Sequence, residues 1–478
     1  MKRNLFVSIL IIFSSIFISW TATFAEINLY DDFSETYIDA QKWKDREFVR
    51  EVSAGKLISK IGNTAGTGGI NNTAFQNPQS ITSIECRLTM VATALDTGTN
   101  PESFAKIGGF FYNTKGSGGA TGDVWAAVYI GNRGSGLEAY WEIQESLDGD
   151  LKNLEDKGTG TLIAPGTLTY GTAYNVKISY NGSNGFIFTV DGQSNNFSGP
   201  ARKRAEVTEF KGLITGIDAD GGSGIGYASA LFDDVYINNE ATIYDNFSSA
   251  YIDPTKWQHL EFAREIANGK LRLSVQPDGY RKTAKIRPND QAASYLEARF
   301  LIKNDSQLSA GARAKARIAG YYYNVNRGNG SGLPYNGYKD DIWVENKIYL
   351  DDSNNLKAKC SLWRTDGPDS VGPGTSIFHH KFSIPIAFNT EYTLSIGLSD
   401  STFTFKCNDE TYLHKVNAPM YEPSNGQYRE FAARVYTDPG ESGHMKVQLD
   451  DVYAGTVSVP VYKGATSGRV TTSGGDKI

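Results

Sequence analysis

Tyr30 to Leu57 recurs without a gap as Tyr244 to Leu271, and 16 of the 28 positions are identical. The shared residues include Tyr-Asp-x-Phe-Ser, Tyr-Ile-Asp, Lys-Trp, Glu-Phe-x-Arg-Glu and Gly-Lys-Leu. Further pairs follow in the same order. Ile84-Glu85-Cys86-Arg87 answers Leu296-Glu297-Ala298-Arg299, Ile107 to Asn113 answers Ile318 to Asn324, and Asp123-Val124-Trp125 answers Asp341-Ile342-Trp343. Near the end of each half, Tyr174 to Tyr180 matches Tyr392 to Leu398, and Asp233-Asp234-Val235-Tyr236 matches Asp450-Asp451-Val452-Tyr453. The offset drifts only between 211 and 219. That period is too long for a solenoid repeat and fits duplication of a whole domain of ~200 residues, with the boundary near Asn239.

Within each half the hydrophobic period is two. Tyr174, Val176, Ile178 and Tyr180 alternate with Asn175, Lys177 and Ser179. The turn Asn181-Gly182-Ser183-Asn184-Gly185 follows, and then Phe186, Phe188 and Val190 alternate with Ile187 and Thr189. This is a hairpin with one buried face. No later segment carries a sustained helical period, and 27 Tyr, 24 Phe and 50 Gly suit strands joined by tight turns. The expected fold is all-β, as two tandem β-sandwiches at residues 26–239 and 240–457.

Lys2 and Arg3, the apolar run Leu5 to Trp20 and the small-residue stretch ending at Ala25 have the form of a secretory signal peptide, residues 1–25. Its apolar run is shorter than the ~20 residues that span a bilayer, so no transmembrane segment is expected after cleavage. Removing Lys2 and Arg3 takes the formal charge from −6 to −8. An acidic exported protein is a poor binder of nucleic acid. Export to the periplasm, cell surface or medium of a bacterium is the expected destination, with residues 458–478 as a flexible tail. Cys86, Cys360 and Cys407 are too few for a disulfide framework and read as small buried hydrophobes, with a Cys360–Cys407 bond left open.

The opening Asp-x-Phe…Ile-Asp…Lys-Trp at Asp31 to Trp43 and Asp245 to Trp257 is followed by Glu-x-Arg at Glu85 to Arg87 and at Glu297 to Arg299. The hairpin ending Val190-Asp191-Gly192 and the closing Asp-Asp-Val-Tyr strands complete the series. These motifs, in this order and met twice, resemble the concanavalin A-like lectin/glucanase superfamily, which includes laminin G-like modules, legume-type lectins and family 16 glycoside hydrolases. The resemblance covers nearly all of the chain after residue 25. It implies jelly-roll sandwiches whose first and last strands lie together and whose concave sheet holds sugars.

Parity separates the core from the opposite face of the central strands. Val124, Ala126, Val128 and Ile130 are uniformly apolar, which leaves Trp125 and Tyr129 on the other face. Leu137, Ala139, Trp141 and Ile143 read as core and leave Glu138, Tyr140 and Glu142 outside. In the second half Trp343, Glu345, Lys347 and Tyr349 face outward, joined by Lys357, Lys359, Ser361 and Trp363. By weaker parity Tyr112 and Tyr323 belong to the same faces. Rings beside hydrogen-bonding side chains suit sugars, whose C–H faces stack and whose hydroxyls need polar partners. The competing reading is that the rings only pack beneath loops. Glu138 and Glu142 against Lys357 and Lys359 predict unlike ligands, or one binding half and one structural half. The loops Asn113 to Asp123 and Asn324 to Asp341, the latter with Tyr335 and Tyr338, differ in length and would carry specificity.

The resemblance to family 16 enzymes implies a catalytic Glu-x-Asp-x-x-Glu. The nearest match, Glu138-Ala139-Tyr140-Trp141-Glu142, has Tyr140 where the middle Asp belongs, and at ~3.3 Å per residue its ends lie roughly 13 Å apart. The five His residues all lie in the second half, without ligand spacing for zinc. Calcium is the cofactor the resemblance allows, with Asp31 meeting Asp234, and Asp245 meeting Asp451, where first and last strands adjoin. The alternative is that these carboxylates satisfy backbone N–H groups. The first expectation is a non-catalytic lectin-like protein binding a polysaccharide or other glycan. Its rivals are a structural or adhesive envelope protein with protein partners, and a divergent glycoside hydrolase using Glu138 and Glu142.

Overall fold

A computed structural model describes residues 28–455 apart from 63–67, 152, 222–225, 278, 327–337, 352, 367–373 and 425. The expected signal peptide, the expected tail and Tyr335 lie outside the described residues. The chain is all-β, as expected: apart from a 3-10 turn at Pro78–Ser80, its described elements are strands. No helix among the described residues is long and apolar enough to cross a membrane.

Three sheets make two sandwiches. One six-stranded sheet runs in the order Gly69–Ala74, Lys211–Asp220, Thr99–Asn113, Asp123–Asn132, Leu137–Ser146, Leu154–Ile163. The other runs in the order Arg281–Ile286, Tyr428–Tyr436, Arg313–Asn324, Asp341–Leu350, Leu356–Arg364, Thr375–Lys381. A single 16-stranded sheet backs both. It is continuous because Phe48–Ser53 of the first half pairs antiparallel with Phe262–Ala267 of the second, Ala263 opposite Val49. The alternation in Ala173–Tyr180 does what parity demands: Tyr174, Val176, Ile178 and Tyr180 are buried while Asn175 is exposed. They pack with Val124, Ala126, Val128, Ile130 and Trp141 in the first core, and the second half builds a core of the same kind.

The opening segments are exchanged between these cores. Phe33, Ile38 and Trp43 are buried in the second core, and Phe247, Ile252 and Trp257 in the first. Leu29–Asp31 pairs with the last strand of the second half, Gly443–Gly455, while Asp245 bridges Val235 of the first half. Lys44 N–H donates to Arg287 O at 2.9 Å, and Gln76 N–H to Lys256 O at 2.8 Å. Each Trp therefore closes the sandwich of the other half.

The recurring Asp-x-Phe…Trp motif now has a physical cause. Asp31 Oδ1 accepts from Phe33 N–H at 2.9 Å and its Oδ2 from the Trp43 indole N–H at 2.5 Å. Asp245 repeats this with Phe247 at 2.9 Å and Trp257 at 2.7 Å. Phe33 and Phe247 sit at φ +52° and +49°, a left-handed turn that the Asp carboxylate holds. One carboxylate thus satisfies two N–H groups that burial would otherwise leave bare. The pairings expected for calcium are crossed, because the exchange brings Asp31 to the strand of Asp451 and Asp245 to the strand of Asp234. Asp234 and Asp451 lie beside Arg87 and Arg299 respectively. Cys86, Cys360 and Cys407 are buried free thiols.

Candidate functional site

The outer face of each six-stranded sheet, opposite its core, carries the rings that parity assigned there. In the first half Trp125, Tyr129 and Tyr140 form a separate cluster with Phe104, Phe110 and Ile214. Tyr129 stacks on Tyr140 with centroids 4.5 Å apart. Phe210 lies parallel over Trp125 at 6.1 Å, and Leu151 packs against the same cluster. Trp125 is 8 % exposed and Tyr129 only 3 %. The rings are therefore not between the sheets, yet they are covered.

The polar groups of this face are turned on one another. Glu142 accepts from the Trp125 indole at 3.1 Å and from the Tyr129 hydroxyl, which in turn accepts from Lys106 Nζ at 2.6 Å. Burial first, and then Glu142, push the Tyr129 phenol well above its ordinary pKa, so it remains a donor. Glu138 pairs with Arg133 at 2.7 Å, and that guanidinium lies 4.2 Å over the Tyr140 ring. Tyr140 donates to Glu102, whose carboxyl is raised to about 7 by burial. Glu138 and Glu142 thus have separate partners, and the two carboxylates do not face each other across an open cleft.

Tyr112 and Tyr323 do not join these faces. The register slips between Phe110 and Tyr112, and again between Tyr321 and Tyr323. A bulge inserts one residue and reverses the parity beyond it. Tyr112 consequently stacks on Tyr180 at 5.3 Å and Tyr323 packs on Phe403, both inside the cores. Phe110 and Tyr321 take the outward places.

Among the described residues, the second half keeps its face open. Trp343 and Trp363 stand opposite each other on paired strands, half-buried, in a groove of about 470 Å³. Tyr321 meets Trp343 edge-on at 4.8 Å and Tyr338 stacks on Tyr321 at 5.1 Å. The groove is lined by Arg313, Lys315, Arg317, Lys347, Lys359 and Arg434, against Glu345 and Asp351. Glu345 is shared by Lys315 at 3.0 Å, Arg317 at 3.2 Å and Lys347. Burial would raise this carboxyl, but those three cations hold it well below the usual range. Arg317 also pairs with Glu430, and against burial that cation, followed by Arg434, lowers Glu430 to about 2. Asp351 is taken up by Lys357 at 2.6 Å. Burial, with Lys347 beside it, depresses Lys359, whose Nζ lies 4.8 Å from the Tyr349 ring centroid.

Register shows how one scaffold carries two surfaces. Lys106, Tyr129 and Tyr140 occupy successive cross-strand positions in the first half, and Arg317, Lys347 and Lys359 occupy them in the second. Phe104 faces Gly216 where Lys315 faces Arg434. Sequence reading missed Lys315, Arg317 and Arg434. Their signal was present: Arg313, Lys315 and Arg317 alternate with Ala314, Ala316 and Ile318.

No family model and no curated protein matches the chain. Among solved structures, the chain is similar to the alginate lyase Aly36B at 14 % identity and TM-score 0.24, over 40 % of this chain and 83 % of that one. It is similar to domains LG4-5 of the mouse laminin alpha1 chain at 10 % identity and TM-score 0.23, over 85 % of this chain and 91 % of that one. The Caenorhabditis elegans galectin LEC-6 matches at 10 % identity and TM-score 0.17, over 36 % of this chain and 95 % of that one.

Proposed function

We propose that the protein is an exported, non-catalytic glycan-binding protein built from two copies of one sandwich, and that its second half does the binding. One observation carries this reading: Trp343 and Trp363 stand side by side and half-exposed in a groove of about 470 Å³ whose remaining lining is rich in hydrogen-bond donors. Rings give a pyranose an apolar platform, and the Lys and Arg donors around them meet its hydroxyls. The first half has only one Trp of this pair, Trp125 with Gln144 opposite it, and keeps that ring under Phe210, so it acts as a structural partner.

Titration calorimetry against a panel of neutral and acidic oligosaccharides tests this. Binding is expected, and Trp343→Ala should weaken it roughly ten-fold, about the 1.4 kcal/mol that a lost stacking platform is worth. Trp125→Phe should leave affinity unchanged. Absence of binding to every oligosaccharide would retire the glycan reading in favour of a protein-binding envelope component.

A further inference from the structure

Resting on that reading, we infer that the ligand of the second-half groove is an acidic glycan, a chain carrying carboxylate or sulfate groups on successive sugars, laid across the strands. Arg317, Lys347, Lys359 and Lys381 are direct cross-strand neighbours on four adjacent strands. Like charges placed directly opposite one another destabilise a sheet. This sheet carries four in one row, at a strand spacing of ~4.8 Å that is close to the length of one pyranose.

The counter-charge inside the protein falls short. Glu345 serves three cations at once, and Asp351 is engaged by Lys357. Among the described residues neither Lys359 nor Lys381 has a carboxylate partner. Arg317, 1 % exposed, keeps one buried N–H, at Nε, without a hydrogen-bond partner. The Arg317 charge is already met by Glu345 and Glu430, so the cations that an arriving anion would pair with are Lys359 and Lys381. The equivalent row of the first half, Lys106, Tyr129, Tyr140 and Thr161, carries one charge, already beside Glu142. Trp343 and Trp363, beyond the Arg317, Lys347 and Lys359 positions on their strands, supply the stacking platform.

The test uses one sugar backbone with and without its charge. Oligogalacturonate and its fully methyl-esterified form are titrated against the full chain, alongside a sulfated galactan oligomer and its desulfated form. At least one acidic form should bind ten-fold or more tightly than its neutral counterpart, and that preference should shrink as salt rises. Which acid wins distinguishes carboxylate from sulfate. The double variant Lys359→Gln/Lys381→Gln removes no internal ion pair and should bring the affinities of the acidic and neutral forms together, with the larger loss on the acidic form. Trp343→Ala should weaken both forms. Equal affinity for charged and neutral forms would overturn the acidic class while leaving glycan binding standing. Binding to neither overturns both. Poly-glutamate bound as tightly as the sugar acid would reduce the groove to an anion patch and overturn the inference as well.

Discussion

The two outer faces share a strand order and a Trp at the same register position, yet among the described residues one is closed and the other open. Over Trp125 the chain lays Phe210 and the Lys106 ammonium, Leu151 packs against the same cluster, and every carboxylate nearby has a phenol, indole or cation as partner. Around Trp343 the equivalent places hold Lys315, Lys347 and Lys359 where the first half has Phe104, Tyr129 and Tyr140. Stacked rings fill the face of the first half, whereas the cations of the second gather around Glu345 and leave Trp343 and Trp363 half-exposed. Side-chain chemistry on a common scaffold therefore decides which half leaves its Trp ring half-exposed.

Both faces rest on the exchanged segments, so the largest effect should come from there. Trp43→Ala should cost about 3–5 kcal/mol, and hydrogen exchange should locate the loss in Tyr295–Ile302 and its neighbours in the second core. Loosening confined to residues 46–94 would show that the segment closes its own half.

The next effect separates the faces. Arg317→Ala leaves Glu345 and Glu430 buried without their shared cation and should cost about 3–5 kcal/mol in chemical denaturation. Lys106→Ala leaves only the half-buried Glu142, still held by Tyr129 and Trp125, and should cost about 1 kcal/mol. Equal losses would mean the two faces are electrostatically alike.

The faces should also respond oppositely to pH. Glu102 is raised to about 7 by burial, so the folded state binds its proton more tightly than the unfolded state. Stability from this group is full below the ordinary carboxylate range, falls as pH rises toward 7, and is level above. Glu430, lowered to about 2, behaves in reverse: its contribution is full above the ordinary range and is lost as pH falls toward 2. Thermal melts of Glu102→Gln should lose the decline on the neutral side and keep the acid one.

The smallest effect concerns access. Iodide should quench the emission that Trp343→Phe removes more strongly than caesium does, because the groove is cationic. The emission that Trp125→Phe removes should resist both until Phe210→Ala uncovers the ring.

Much of this was legible in the sequence where the physics is local. Period-two alternation separates Val124, Ala126 and Val128 from Trp125 and Tyr129, and the folded chain keeps that division. The Asp-x-Phe…Trp motif marks strand openings for the same reason, since its hydrogen bonds lie within fourteen residues. Tyr112 and Tyr323 escaped because a bulge reverses parity without altering composition. The exchange escaped because Trp43 and Trp257 make the same local contacts whichever core they close. The cover on Trp125 comes from Phe210, 85 positions away, and no period reports a contact of that range.

Hydrogen exchange of the full chain with and without the tighter-binding acidic oligosaccharide compares the two faces in one experiment. Protection should appear in Asp341–Leu350 and Leu356–Arg364, with Asp123–Asn132 and Leu137–Ser146 unchanged. Protection of the first-half strands, or of neither pair, would contradict the assignment of the site to the second half.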